Sequence, residues 1–206
     1  MINTELLKLL IAAFTGAVGA LFLRSVIRLA AKIWKSQKPI ALYDCALEKD
    51  DNPGVLRHGW GKRIIDSKAS NKQAWEHSWN IAVRNGKEHT VYGPYTNDFG
   101  QPGFFKIVFR ISGTGFSKSN KPILAVDVIQ APFGGAKEYN LIGQKIIYEK
   151  DIKPYYKEFS IIFYTNGTSV YEYRCTVLQS NYVEDEHTLR FDNIKVHKHI
   201  SIWDIF

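Results

Sequence analysis

The sequence predicts an all-β protein: an antiparallel jelly-roll β-sandwich preceded by a long N-terminal α-helix. Three observations predict it. Beyond Pro39, runs rich in Val, Ile, Tyr and Phe recur, and many alternate apolar with polar side chains. Turn-forming clusters separate these runs, with no helical period between them. Ahead of Pro39 the pattern is helical, and the proline ring closes it because it cannot continue a helix. The chain thus reads as two parts, residues 1–38 and 39–206, the second long enough to bury a sizeable core.

In the first part, Asn3 can cap the helix start and Glu5 suits the positive end of its dipole. Leu9 to Leu23, LLIAAFTGAVGALFL, carries no charge. Such a run rises about 22 Å at 1.5 Å per residue, short of a roughly 30 Å hydrocarbon core. Lys8 and Arg24 at its ends can snorkel and extend its reach. The following RSVIRLAAKIWK places Arg24, Arg28, Lys32 and Lys35 on one helical face, with Val26, Ile27, Ala30, Ile33 and Trp34 over much of the rest. That is a basic amphipathic helix suited to anionic lipid, with Trp34 at the headgroup level. Three readings stand: a retained membrane anchor, a cleaved signal peptide, and a helix packed on a partner. The signal peptide lacks a strongly positive leader and a small-residue cleavage site. Gly16, Ala17, Gly19 and Ala20 allow close helix approach, hence a homo-oligomer through this helix. Positive charge after the apolar run places the body on the cytoplasmic side.

The net charge of +7 is unevenly spread. Residues 1–38 hold six basic groups against Glu5 alone, which is +5. The remainder has 21 basic and 19 acidic groups, only +2. A nucleic-acid-binding body would itself be basic, so nucleic acid is not an expected partner.

In chain order the strand-like runs are ALYDCAL, GKRIID, HTVYG, GFFKIVFRI, ILAVDVIQ, EYNLIGQKIIY, KEFSIIFYT, SVYEYRCTVL and LRFDNIKV. Phe105, Ile107, Phe109 and Ile111 face one way, Lys106 and Arg110 the other; Tyr171, Tyr173, Cys175 and Val177 repeat the pattern against Glu172 and Arg174. Asn166-Gly167 between two alternating runs is the strongest hairpin signal. Gly93-Pro94-Tyr95 and Gln101-Pro102-Gly103 read as two turns at which the chain changes sheets, with Tyr92, Tyr95, Phe99 and Phe104 covering the corner.

YGPY, a short loop, PGFFKIVFRI, ILAVDV, an EYRC strand and a closing LRFDNIKV resemble the carbohydrate-binding-module jelly rolls of the galactose-binding-like superfamily. The preceding ASNKQAW resembles the small-residue turn before the first core strands. The resemblance covers roughly residues 40–200 and implies the sandwich, sugar binding and a structural calcium held by Asp44 and Asp192, with Glu48 displaced from the usual acidic pair. Calcium takes six to eight oxygen ligands, and a strand-end Asp that bonds its own turn is the alternative for Asp192.

Sugar recognition needs a flat aromatic face and a few polar groups that orient ring hydroxyls. Trp75, Trp79 and Tyr95 supply the first, Asn97 and Asn181 the second, with Asn80 nearby. Trp75 and Trp79 share a face in either a helical turn or an extended run; the alternative is that they cap the core. No paired catalytic carboxylates, GxSxG, P-loop or GxGxxG are present, so an enzyme is not expected. His197 and His199 alternate on a strand without a third ligand. Cys45 and Cys175 lack CxxC spacing and read as small buried hydrophobes, or as a disulfide outside a reducing compartment. The expected function is a non-catalytic, membrane-associated module that binds glycan or glycolipid. The alternative is a protein-interaction scaffold whose helix docks or oligomerises. Buried tryptophans and no aromatic-lined cleft would favour the scaffold.

Overall fold

The computed structural model describes residues 16, 19–47, 56–79, 88–97, 99–131, 139–178, 182 and 186–199. The chain divides between Lys38 and Pro39 into a helical unit and a β unit that runs to His199. The helical unit contains α1, Gly19–Gln37, in which Arg24, Arg28, Val26 and Ile27 are exposed. The expected helix from Asn3 is described over this stretch only. Lys8, most of the apolar run, and the side chains of Lys32, Trp34 and Lys35 lie outside the described residues. Among the described residues no helix is long and apolar enough to cross a membrane.

The β unit is a sandwich of two antiparallel sheets. Its strands are β1 Ala41–Asp44, β2 Arg57–His58, β3 Gly61–Ile65, β4 Gln73–His77, β5 Glu88–Thr96, β6 Gly103–Thr114, β7 Pro122–Ala131, β8 Asn140–Tyr148, β9 Lys157–Thr165, β10 Val170–Val177 and β11 Thr188–Lys198. One sheet runs β3-β4-β11-β6-β9, with β1 also paired to β11; the other runs β2-β5-β10-β7-β8. The alternation set the faces: Phe105, Ile107, Phe109 and Ile111 from β6 meet Tyr171, Tyr173, Cys175 and Val177 from β10 in one core. Cys45 and Cys175 are both buried and free, the small-hydrophobe alternative.

Of the two alternatives for QAWEH, the extended one holds: it is strand β4. Two expectations change. Gly93-Pro94-Tyr95 is no turn between strands: it lies inside β5, with a cis Gly93–Pro94 peptide, where the register against β10 slips between Tyr171 and Tyr173. A bulge tolerates a residue without an N–H because it leaves one residue unpaired. Asn166-Gly167 makes no hairpin, because β9 and β10 belong to different sheets. The turn crosses the sandwich instead. Gly167 has φ +78°, and a Cβ there would run into the Gln101–Pro102 backbone.

Gln101-Pro102-Gly103 does change sheets, carrying the chain from β5 to β6. Of the four aromatics expected at this corner, Phe99 closes it, with its ring centre 4.4 Å from Phe105 and 4.6 Å from Tyr171. Phe104 is exposed, and Tyr92 and Tyr95 turn to the outside of the five-stranded sheet.

Candidate functional site

The outer face of the five-stranded sheet gathers polar side chains that have no place on a merely solvated surface. On β10, Tyr171, Tyr173 and Cys175 point into the core, so Glu172, Arg174 and Thr176 point out. Register then brings them partners: Arg174 lies opposite Asp127 of β7 and Tyr92 of β5, and Tyr92 lies opposite Arg57 of β2. The β5 bulge shifts the alternation, so that Tyr95 as well as Tyr92 stands outside. The Tyr95 hydroxyl donates to Glu172 Oε1 at 3.0 Å. The Arg57 guanidinium sits 5.5 Å from the Tyr95 ring centre. Arg174 Nε donates to Asp127 Oδ1 at 2.7 Å. His89 Nδ1 and the Thr176 hydroxyl share a hydrogen bond at 2.8 Å.

Glu172 is 6% exposed and Asp127 2%, although both belong to an outer face, whereas Tyr139 at the start of β8 is 60% exposed. The two carboxylates are therefore covered by their neighbours, while Tyr139 stands in solvent. Burial raises the Glu172 carboxyl above its ordinary range, against the lowering effect of the Tyr95 hydrogen bond. Burial and then the Glu172 charge push the Tyr95 hydroxyl up to about 12, keeping it a donor. Burial, helped by the Arg174 charge, lowers His89 and favours its neutral form. Two guanidinia balance two carboxylates, so the face offers many hydrogen-bonding groups and little net charge. Titratable groups displaced by burial and specific partners are what a binding site concentrates.

Of the expected sugar-binding residues, Tyr95 is on this face. Trp75 and Trp79 are not: both are 5% exposed. Trp75 stacks on His58 with ring centres 4.1 Å apart, and Trp79 packs on His77 and Tyr182. Their faces are taken by protein, so stacking on a ligand is corrected to core packing. Asn97 is exposed, but its amide is occupied: Nδ2 donates to the Gly167 carbonyl at 3.1 Å, and Oδ1 accepts from Gly100 N–H at 3.3 Å. Asn181 and Asn80 lie outside the described residues. Alternation puts Glu172 and Arg174 opposite the core, but no sequence signal gives them a role or singles out Arg57, Asp127 and Tyr139. β2 is too short to show a period, and nothing local distinguishes Asp127 from any other outward polar residue.

Asp44 and Asp192 do come together, since Asp44 pairs with Asn193 and Cys45 N–H donates to the Asp192 carbonyl at 2.9 Å. Their carboxylates, however, face donors. Asp192 accepts from Ser70 N–H (3.0 Å), Ser70 Oγ (2.7 Å), Asn193 Nδ2 (3.0 Å) and Arg110 Nη1. Asp44 accepts from Ala46 N–H at 2.8 Å and Asn71 Nδ2 at 2.5 Å. Asn193 Oδ1, beside them, is a buried acceptor without a hydrogen-bond partner among the described residues. A site lined by N–H and O–H groups with a guanidinium in contact does not fit calcium, which needs six to eight oxygens turned toward it.

No family model matches the sequence, and no curated protein matches it. Solved structures do. The CBM22-1–GH10 modules of the Clostridium thermocellum endo-1,4-beta-D-xylanase 10B, complexed with xylohexaose, align with 79% of this chain and 29% of that chain, at TM-score 0.51 and 11% identity. This chain thus matches less than a third of the xylanase chain. The CBM22-2 xylan-binding domain of Paenibacillus barcinonensis Xyn10C aligns over 78% of this chain and 99% of its own, at TM-score 0.46 and 13% identity. A carbohydrate binding module of Cellvibrio mixtus lichenase 5A, in complex with cellotriose, aligns over 79% and 100%, at TM-score 0.45 and 10% identity. The expected β-sandwich is the fold this chain shares with part of the xylanase structure, at TM-score 0.51.

Proposed function

We propose that the outer face of the five-stranded sheet binds an uncharged sugar chain without acting on it, and that α1 holds the domain at an anionic membrane surface. One observation carries the sugar reading: Arg57, Tyr95 and Glu172, from three strands, form a single bonded group with Arg174–Asp127 beside it. A ring for the apolar side of a pyranose, and fixed donors and acceptors for its hydroxyls, are what such a ligand needs. The near balance of charge favours a neutral chain over an acidic one. A solved structure that shares this fold over 29% of its chain is complexed with xylohexaose, which supports a sugar over other polar ligands. Asp127 and Glu172 lie side by side on one sheet face, and each is engaged, by Arg174 and by Tyr95, which supports recognition over hydrolysis.

The test is calorimetric titration with a panel of neutral oligosaccharides, xylohexaose first. Glu172→Ala is expected to weaken binding by roughly 10- to 150-fold, the effect of losing a hydrogen bond to a charged group; Tyr95→Phe, which keeps the ring, should lose less. Unaltered affinity in both variants removes this site. Failure of the whole panel leaves the scaffold reading, which draws on the other sheet. There Ile40, Leu42, Phe104, Ile162 and Tyr164 are exposed on one outer face.

For the membrane reading, removing the exposed cations in Arg24→Gln/Arg28→Gln is expected to weaken retention on phosphatidylserine-containing vesicles roughly 30-fold, at about 1 kcal/mol per cation. Undiminished vesicle sedimentation would sink the role given to α1.

A further inference from the structure

Asp192 poses a charge problem that the chain answers with its own residues. β6 pairs along one side of β11, but the other side is shared: β4 pairs Arg190 and Phe191, and β1 pairs Asn193 to Val196. Asp192 falls at this join, in a bulge of the β11–β6 ladder between Phe191 and Asn193, and is 0% exposed. A bulge leaves its residue out of the ladder and re-aims the side chain. A carboxylate buried there requires a cation or a full set of donors.

We infer that Arg110 is the cation around which this corner is built, and that the domain holds its fold without a divalent metal. From β6 the guanidinium contacts the Asp192 carboxylate through Nη1, and Nη2 donates to the Lys68 carbonyl at 3.3 Å. Its carbon sits 4.6 Å from the Tyr156 ring centre. Tyr156 is itself fixed, donating its hydroxyl to Asp66 Oδ2 at 2.9 Å. Asp66 opens the loop that the guanidinium clasps: its N–H donates to the Lys72 carbonyl at 3.0 Å, closing residues 66–72 on themselves. Ser70 and Asn71 of the same loop bind Asp192 and Asp44. One side chain thus ties a carboxylate, a backbone carbonyl and an aromatic ring across the gap where β4 and β1 meet. A carboxylate and a carbonyl oxygen are what a bound calcium would have used, and Arg110 has taken one of each. The planar fork of a guanidinium reaches two oxygens at once, which a lysine ammonium on a flexible stem does less well.

The test is thermal unfolding of the full chain, with calcium and with EDTA, for the parent, Arg110→Met, and Arg110→Met/Asp192→Asn. The parent is expected to melt at the same temperature in both buffers. Arg110→Met should melt roughly 6–20 °C lower, because it strands a buried charge. Adding Asp192→Asn should recover part of that loss by removing the stranded charge. A parent midpoint that rises with calcium or falls with EDTA overturns the inference, as does an Arg110→Met protein that melts like the parent. Should Arg110→Met fail to fold, the comparison of calcium with EDTA on the parent decides alone. Neither result touches the sugar-binding reading, whose residues lie on the other sheet.

Discussion

Trp79→Ala is expected to melt roughly 6–20 °C below the parent while keeping its affinity for sugar at low temperature. The indole is 5% exposed and packs edge-on against His77, Tyr182 and Phe116, with ring centres 4.7, 4.9 and 6.3 Å away. Its N–H has no partner among the described residues, so shape and apolar burial hold it. Truncation to alanine costs about 3–5 kcal/mol in a core of this kind. The proposed sugar face is assembled by β2, β5, β7 and β10, and none of the three rings touching Trp79 belongs to it. Differential scanning calorimetry paired with the sugar titration checks both halves. A parent-like midpoint with lost affinity would return Trp79 to the stacking role that its spacing from Trp75 first suggested.

Acid is expected to weaken the fold in two stages, and the first belongs to His77. Its ring is 2% exposed, and burial lowers it to about 4 from an ordinary 6.5. The unfolded chain therefore takes up a proton below pH 6.5 that the folded chain refuses until about pH 4. Stability falls through that window and then levels, by about 3 kcal/mol in all at 1.36 kcal/mol per unit. Glu149 contributes the second stage with the opposite chemistry. The hydroxyls of Ser117, Tyr182 and Ser119 donate to its carboxylate and hold it down at about 2. Its contribution is complete above the ordinary carboxylate range and is lost as pH falls toward 2. Denaturant unfolding of parent and His77→Phe between pH 7 and 4 separates the stages. The variant should lose much less over this interval, and parallel pH curves would refute the assignment to His77.

Much of the fold could be read in the sequence because alternation is local. Inward and outward residues of β6 and β10 follow from a period of two, whichever strands they later join. The division at Pro39 is equally plain, since a proline cannot continue a helix that precedes it. The misreadings share one cause. Asn166-Gly167 has the local chemistry of a hairpin, but its flanking strands pair elsewhere, β9 with β6 and β10 with β5 and β7. Gly93-Pro94 has the chemistry of a turn, yet the pairing on both sides of it continues, so it became a bulge within β5.

The site was less legible for the same reason. Tyr95 and Glu172 are 77 residues apart in the chain, Arg174 and Asp127 are 47, and Arg110 and Asp192 are 82. No spacing rule joins such residues, because strand register brings them together and register depends on the partner strand. Whether an aromatic stacks on a ligand or fills a core is likewise set by what packs over it, which placed Trp75 and Trp79 inside and Tyr95 outside. By itself, then, the sequence determined the long alternating strands, the two faces of β6 and β10, and the break at Pro39, all of which rest on neighbours within a few residues. Only the tertiary structure decided which strands share a sheet, which polar residues meet on its outer face, and that a guanidinium stands beside Asp192, because pairing and burial are settled between segments far apart in the chain.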